Sequence, residues 1–255
     1  FKQKTAYEIG VRLVGSEMCI RDRNIRGAFT ILDIITKQKK RMIQISTDEV
    51  FGSLEKGTAD EQSKFNPSSP YAATKAAAEL LINSYITTFN SDVIITRCTN
   101  NFGPRQFPEK LIPKTIILAN NDMKIPIYGT GKNIRDWIFV DDHCNAVNMA
   151  LLKGNSGESY NISANNEIDN ITIVKKILAI MNKSEDLIEF VEDRPGHDFR
   201  YSMTSRKISN ELGWKQESNF DEGLKKTVEW YLGNPEIMKD ASTIVQDATP
   251  WKNSN

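Results

Sequence analysis

The sequence has 255 residues, of which 39% are hydrophobic and 26% are charged, proportions that are ordinary for a folded protein. Its 33 basic residues balance 33 acidic ones, so we expect neither nucleic acid nor an anionic membrane as a partner. Three cysteines without a C-x-x-C pair and two distant histidines predict no disulfide framework and no metal site, and favour a cytoplasmic protein. No apolar run approaches the roughly 18 to 20 residues that span a bilayer.

Helices and strands are predicted to alternate along the first part of the chain. Apolar residues recur at helical spacing over 24–37, and a buried strand follows at 42–46. A polar loop over 52–70 and an Ala-rich helix over 71–89 precede a second strand at 93–97. This alternation predicts a parallel α/β sheet, in which ligands bind beyond the carboxyl ends of the strands.

The second part of the chain is more irregular, and its pattern is typical of a substrate-binding region. The predicted elements are a helix at 111–119, a strand at 125–128, a strand turning into a helix over 137–152, and helices at 171–181, 205–212 and 220–232. Gly213 is expected to end the helix at 205–212. The segment after Gly233 shows no clear pattern, and we expect it to be loosely ordered.

The first chemical motif is Ser46-Thr47-Asp48-Glu49, which places two hydroxyls and two carboxylates at the end of the first predicted strand. Adjacent carboxylates repel each other, which separates their pKa values and equips one as an acid and the other as a base. Taken alone, the same four residues are also compatible with a solvated turn.

The second motif is Tyr71-x-x-x-Lys75 at the start of the Ala-rich helix, a spacing that puts both side chains on one face. The ammonium group and the positive end of the helix dipole would lower the pKa of the phenol and prepare it to act as a base. A Tyr and a Lys at this spacing are more often surface neighbours, so the pair alone does not decide the function.

Together the motifs are more specific. The Ser-Thr strand end, Tyr-x-x-x-Lys, and a strand ending in Asn100-Asn101-Phe102-Gly103-Pro104 resemble the extended short-chain dehydrogenase/reductase family. Within that family, TDEVFG, NNFGPRQFPEKLIP, PIYGTGKNIRDWIFVDDH and DRPGHDFRY resemble the dTDP-glucose 4,6-dehydratases. The resemblance extends over about residues 24–232. The Asp-Glu pair after Thr47 distinguishes these dehydratases from related epimerases and decarboxylases.

The resemblance implies a Rossmann-like parallel sheet with a smaller mixed substrate-binding domain, and NAD as the cofactor. The implied reaction converts dTDP-glucose to dTDP-4-keto-6-deoxyglucose and water, for deoxysugars such as rhamnose. NAD would be regenerated in each cycle, so the enzyme would be a lyase. It also implies a homodimer that pairs the helices beginning at Tyr71. The alternatives are a dehydratase for another nucleotide sugar and a non-catalytic nucleotide-sugar-binding protein on the same fold.

The resemblance further implies a division of the chain into regions. No G-x-x-G-x-x-G turn occurs in the sequence, so the first strands and helices of the family, which should precede Asn24, are expected to be missing. Residues 1–23 lack periodicity and are expected to be unrelated to the fold. The other regions are 24–105, the C-terminal half of an NAD-binding Rossmann domain; 106–232, mainly substrate-binding, with 137–164 returning to the Rossmann sheet; and 233–255, a tail.

Roles for individual residues also follow from the resemblance. Thr47 would hydrogen-bond the sugar 4-hydroxyl, Tyr71 would take its proton as hydride leaves C4, and Lys75 would hold the nicotinamide ribose. Glu49 would then remove the C5 proton, and Asp48 would protonate the departing 6-hydroxyl. The other expected contacts are Ser46 and Asn101 to NAD, Asn100 to substrate, and Glu109, Lys110, Tyr128, Arg135, Asn170, Arg194 and His197 around the nucleotide and pyrophosphate.

Some of these residues also have an ordinary structural interpretation. Asn100 and Asn101 could simply cap the end of a strand. Asn170 could be only the N-cap of the helix that follows it. His197 could be an ordinary loop histidine.

Overall fold

The computed structural model describes residues 22–194 and 196–245, so the predictions for residues 1–21 and 246–255 lie outside it. The strands are β1 (Met42–Thr47), β2 (Val93–Cys98), β3 (Asn100–Phe102), β4 (Ile125–Tyr128), β5 (Ile134–Phe139), β6 (Ser159–Ile162), β7 (Glu167–Asp169) and β8 (Ile188–Val191). The α-helices are α1 (Ala28–Gln38), α2 (Pro70–Phe89), α3 (Leu111–Asn120), α4 (Val140–Lys153), α5 (Asn170–Ile180), α6 (Arg206–Leu212), α7 (Phe220–Leu232) and α8 (Pro235–Val245). Shorter helical turns lie at Asp22–Gly27, Asp48–Phe51 and Glu185–Leu187.

The strands β1, β2 and β6 form a parallel sheet in that order. Val93 and Ile95 pack with α1 and α2, whereas Ile94 packs with α4, because successive side chains of a strand point to opposite faces. Apolar residues on both faces are typical of a parallel strand that is covered by helices on each side. The predicted parallel α/β sheet is confirmed.

A second and larger core lies around β3 and β5, which are parallel, and the helices α3, α5, α7 and α8. In its middle the ring of Phe102 contacts that of Phe139 edge-on and that of Phe220 at a tilt. Met238 and Val245 of α8 are buried in the same core. The expectation of a loosely ordered segment after Gly233 is therefore wrong for the helix at Pro235–Val245, which Met238 and Val245 attach to the core.

The helix ends follow local chemistry. Ser69 accepts a hydrogen bond from the backbone N–H of Ala72 and so caps α2. Gly213 ends α6 with φ of +76°, as the sequence predicts. The N-cap of α5 is Asp169, which accepts from the N–H of Thr172. The interpretation of Asn170 as the cap is wrong, since it is the first residue of the helix.

The residues described, 22–194 and 196–245, include no helix that is both long and apolar enough to span a membrane. The same residues include no cluster of three or more His, Cys, Asp or Glu side chains arranged to hold a metal ion.

Candidate active site

The carboxyl end of β1 leads directly into the 3-10 turn Asp48–Phe51. Thr47 caps this turn: its Oγ1 accepts from the N–H of Glu49 at 3.3 Å and donates to Oδ1 of Asp48 at 3.2 Å. Thr47 and Asp48 are buried and Glu49 is half-buried. The alternative of a solvated turn is therefore wrong.

Gly52 fixes the end of this turn. Its φ of +71° lies in the left-handed region, and a Cβ at this position would come within 2.1 Å of the carbonyl oxygen of Asn66. Only glycine allows this close approach of the two backbone segments. The loop that precedes α2 is thereby held against the turn that carries Asp48 and Glu49.

The two carboxyl groups of the turn have shifted pKa values. Burial, and secondarily the charge of Glu49, raise the pKa of Asp48 to about 8, and its Oδ2 has no hydrogen-bond partner among the described residues. Burial also raises the pKa of Glu49, while Arg194 and Arg135 oppose the shift. At neutral pH the Asp48 carboxyl is therefore protonated and can donate a proton, which suits an acid.

Tyr71 and Lys75 lie in the first two turns of α2, and both are half-buried rather than exposed surface neighbours. Lys75 donates from Nζ to the carbonyl oxygen of Ile45 at 2.9 Å, which ties α2 to β1. Burial, followed by the charge of Glu49, raises the pKa of Tyr71 above its ordinary value. The expectation that the pKa of Tyr71 is lowered is therefore wrong for the protein groups alone. Burial disfavours the charged phenolate more than the ammonium of Lys75 favours it.

Buried polar atoms that no described residue satisfies lie in β1 and in β3, the strand that follows directly after β2. Asn101 donates from Nδ2 to the carbonyl oxygen of Thr99 at 3.1 Å, but its Oδ1 is buried without a partner among the described residues. The Oγ of Ser46 is likewise buried without a hydrogen-bond partner among the described residues. Asn100, which precedes Asn101 in β3, is half-buried. Unsatisfied buried groups are costly in an isolated protein, so this region is typical of a site that is completed by a polar ligand.

Three cations converge on Glu49 from distant parts of the sequence. Arg194, Arg135 and Lys110 each act to lower the pKa of Glu49, and Arg135 acts on Asp48 as well. Arg135 is buried in β5, where its guanidinium donates to the backbone oxygens of residues 134, 198 and 199. Lys110 is exposed and paired with Glu109 at 3.0 Å, and Arg194 is exposed. The predicted anion-binding residues are thus brought together beside the carboxylates.

The remaining predicted residues lie around these cations. The ring Nδ1 of His197 lies 2.6 Å from Oδ1 of Asp193, and burial followed by the charge of Arg194 lowers the pKa of His197. Tyr128 ends β4, and Asn170 begins α5. Both are attached by backbone hydrogen bonds to the turn that leads into Arg135. Tyr128 and Asn170 thus flank the turn that leads into Arg135, and His197 lies within the influence of Arg194 and Arg135.

Sequence reasoning missed a group formed by Asp198, Tyr201 and Ser68. Oδ2 of Asp198 accepts from the hydroxyl of Tyr201 at 2.6 Å and from the hydroxyl of Ser68. The guanidinium of Arg135 stacks 4.2 Å from the centre of the Tyr201 ring. Ser68 directly precedes the N-cap of α2, so this group joins the Arg194 loop to the start of the helix that carries Tyr71. Asp198 and Tyr201 belong to DRPGHDFRY, which was the available signal.

Known proteins similar to this chain are nucleotide-sugar dehydratases. The family model described as GDP-mannose 4,6 dehydratase matches residues 16–227. A probable dTDP-glucose 4,6-dehydratase from Sinorhizobium fredii is 44% identical over 229 residues, which cover 83% of this chain. The chain spans 65% of the length of that relative.

Solved structures agree with this result. The dTDP-glucose 4,6-dehydratase from Bacillus anthracis, in complex with NAD, is 41% identical with a TM-score of 0.85, covering 88% of this chain and 72% of that one. The corresponding enzyme from Streptomyces venezuelae, also with NAD bound, is 37% identical with a TM-score of 0.84, covering 92% and 72%. The resemblance inferred from the motifs is confirmed, and this chain belongs to the GDP-mannose 4,6 dehydratase family of nucleotide-sugar dehydratases.

Proposed function

We propose that this chain is the catalytic and substrate-binding part of an NAD-dependent dTDP-glucose 4,6-dehydratase. The observation that carries the proposal is the pair of buried Asp48 and half-buried Glu49 beside Thr47 and Tyr71, at the carboxyl end of a strand in a parallel sheet. Dehydration needs a base for a carbon acid and an acid for a hydroxyl leaving group, and this pair supplies two carboxyl groups in different environments.

The residues present fit the nicotinamide half of NAD. The Oγ of Ser46 and Oδ1 of Asn101 are buried polar atoms that no described residue satisfies, and Lys75 presents a half-buried ammonium group on the adjacent helix. When bound, NAD accepts a hydride and later returns it, and its positive charge would favour the ionised form of Tyr71. We propose that Ser46, Tyr71, Lys75 and Asn101 hold this half of the cofactor.

Each residue of the site has a separate task. Thr47 orients the sugar 4-hydroxyl, and Tyr71 takes its proton as C4 becomes a ketone. The ketone acidifies the C5 proton, which Glu49 removes. Asp48, protonated at neutral pH because its pKa is raised to about 8, donates a proton to the 6-hydroxyl as it leaves as water. Glu49, which carries the proton it removed, would give that proton back to C5 as C6 is reduced by the returned hydride.

We propose that the pyrophosphate of the nucleotide sugar binds among Arg135, Arg194 and Lys110. These cations converge on Glu49, and guanidinium groups remain charged at all relevant pH values and bind phosphate oxygens through two N–H groups. The residues proposed to complete the nucleotide and sugar sites are Asn100, Glu109, Tyr128, Asn170 and His197.

The test is turnover by the complete gene product with dTDP-, UDP-, CDP- and GDP-glucose, followed by mass spectrometry for loss of one water. Product from dTDP-glucose in preference to the others would support the proposal. Preference for another nucleotide would favour a dehydratase of different specificity. Binding of nucleotide sugars without product or bound NADH would favour the non-catalytic alternative.

We also infer that the protein is a cytoplasmic homodimer. Leu80 of α2 is 61% exposed, and Phe29 and Ile31 of the neighbouring α1 are about half exposed, which leaves an apolar surface for a second copy. Of the small residues in α2, Ala72 and Ala76 are buried within the subunit, so they cannot line this surface. Light scattering at micromolar concentration should give the mass of two subunits, and the mass of one would contradict the inference.

A further inference from the structure

Arg97 of β2 and Glu79 of α2 form a buried ion pair, with side chains that are 3% and 0% exposed. The Nε of Arg97 lies 3.0 and 3.1 Å from the two carboxylate oxygens of Glu79, and its Nη2 lies 2.7 Å from one of them. This two-point contact fixes both the distance and the orientation of α2 relative to β2.

The same guanidinium contacts two aromatic rings, whose centres are 6.2 Å apart. Its central carbon is 5.2 Å from the centre of the Phe51 ring and 5.3 Å from that of Phe65. Phe51 is the last residue of the turn that carries Asp48 and Glu49, and Phe65 lies in the loop before α2. One side chain therefore contacts the carboxylate turn, the loop, and the helix of Tyr71.

A third contact joins this group to the neighbouring strand. Nη1 of Arg97 donates to Oδ1 of Asn161 in β6 at 3.4 Å, and the N–H of Asn161 donates to Glu61 of the loop at 2.8 Å. The loop is thus attached at two points to the group around Arg97. The arrangement joins two strands, β2 and β6, to α2, the turn and the loop, and so holds the parts that bear the proposed acid, base and tyrosine.

Stability alone is a weak reason for such a pair. Removing two charges from water is costly, and well-packed apolar residues of similar volume often match or exceed the stability of a buried ion pair. What an apolar pair cannot reproduce is the planar fork of the guanidinium, which has a defined orientation relative to its carboxylate and to two rings.

We propose that the Arg97–Glu79 pair is a positioning device that sets the Asp48–Glu49 turn relative to Tyr71, so that C5–C6 elimination follows C4 oxidation. The inference rests on the proposed dehydratase function. The pair does not touch the reacting groups, and it acts through Phe51 and α2.

The test uses the complete gene product with the double substitution Arg97→Met and Glu79→Leu, which keeps an apolar, filled core without the fork. We expect a folded protein with an unchanged KM for dTDP-glucose and a kcat lowered by about 10- to 100-fold, the scale that misplacement by about 1 Å can produce. Bound NADH should accumulate during turnover, because oxidation proceeds while elimination lags. A folded variant with wild-type kcat and no accumulated NADH would overturn the proposal.

The control is the ion pair Arg41–Asp92, whose side chains are 34% and 37% exposed and which joins the residues just before β1 and β2, at the amino ends of these strands. Its Nε lies 2.9 and 3.1 Å from the two oxygens of Asp92. The substitutions Arg41→Met and Asp92→Leu should leave kcat and the amount of bound NADH unchanged. A loss of kcat equal to that of the first double variant would show a general effect of removing ion pairs and would overturn the proposal.

A second variant decides the matter if the double variant does not fold. Phe51→Leu keeps the ion pair and an apolar side chain but removes one ring from the guanidinium, and it should lower kcat with KM unchanged. Wild-type kcat in folded Phe51→Leu protein would then contradict the proposal. Failure of the unsubstituted protein to dehydrate any nucleotide sugar would instead contradict the proposed function, so the two failures are distinguishable.

Discussion

Asp136 and Asp142, in β5 and α4, are as deeply buried as Asp48 at the end of β1. Asp136 accepts hydrogen bonds from the hydroxyl of Ser163 and from the N–H groups of residues 164 and 166, at 2.6 to 2.8 Å. Asp142 accepts from the N–H groups of residues 217 and 218 at 2.9 and 3.0 Å. Asp48 has one hydrogen bond, from Thr47, and an oxygen that no described residue satisfies.

The two regions differ in how many hydrogen-bond donors reach a buried aspartate. Around Asp136 and Asp142, donors converge on a carboxylate, and the contacts fasten loops to the core. At Asp48 the carboxylate is deprived of water and receives a single donor, the hydroxyl of Thr47, so burial raises its pKa. The three aspartates have similar exposure and thus differ in their hydrogen-bond partners. The unsatisfied residue is the one expected to perform chemistry, at a cost to stability.

The largest expected effect is on turnover. In the complete gene product, Glu49→Gln should remove the base and leave bound NADH without elimination, and Asp48→Asn should remove the acid, which lowers kcat by about 10²- to 10⁴-fold. Substrate recovered from Asp48→Asn protein in deuterated water should carry deuterium at C5, because Glu49 still acts. Substrate from Glu49→Gln protein should carry little. The reverse labelling would exchange the two roles, and normal turnover in both variants would leave the pair without a catalytic role.

The second effect is on stability and concerns the satisfied region. Asp136→Asn should lower the free energy of unfolding by about 3 kcal/mol, since an amide group can accept fewer of the hydrogen bonds and carries no charge. Denaturant titration measures the change. The control is Asp33→Asn, which removes an exposed i,i+4 pair with Lys37 and should leave the free energy of unfolding nearly unchanged. Equal losses in the two variants would contradict the interpretation of Asp136 as a structural anchor.

Asp48→Asn should change stability in the opposite direction and raise the free energy of unfolding. The folded-state pKa of Asp48 is raised to about 8, so between about pH 4 and pH 8 the folded protein binds a proton that the unfolded chain has lost, and stability falls as pH rises. The amide avoids this cost. Thermal unfolding should show Asp48→Asn gaining stability over the wild type at pH 8, by about 1 to 3 kcal/mol, and gaining little at pH 4. A loss resembling that of Asp136→Asn would contradict the comparison.

The smallest effect is expected around Asp198, which shares features of both regions. Its carboxylate accepts from two hydroxyls, as the structural aspartates accept from their donors. Its backbone oxygen accepts from Arg135 of the proposed pyrophosphate site. Tyr201→Phe removes one of the two hydroxyls but keeps the ring under Arg135. It should cost about 1 kcal/mol of stability and raise KM by a few-fold with little change in kcat. Tyr201→Leu, which also removes the ring, should raise KM further. Identical KM values for the two variants would show that stacking on Arg135 does not matter.

The sequence by itself determined the helices α1 to α7, the parallel arrangement of the first strands and the identity of the strand-end motif. Apolar periodicity, the Ser69 cap and the glycine after α6 are local signals, because they depend on backbone geometry within a few residues. The family followed from motifs such as TDEVFG and NNFGPRQFPEKLIP, whose order along the chain is itself specific.

Only the tertiary structure decided how these residues behave. It buried Asp48 where the sequence allowed a solvated turn, raised the pKa of Tyr71 where the local motif predicted lowering, and covered α8 where no pattern was visible. It also joined Arg97 to Glu79 and gathered three cations around Glu49. Desolvation and pairing between distant residues depend on which surfaces the fold excludes from water, and no local period encodes that.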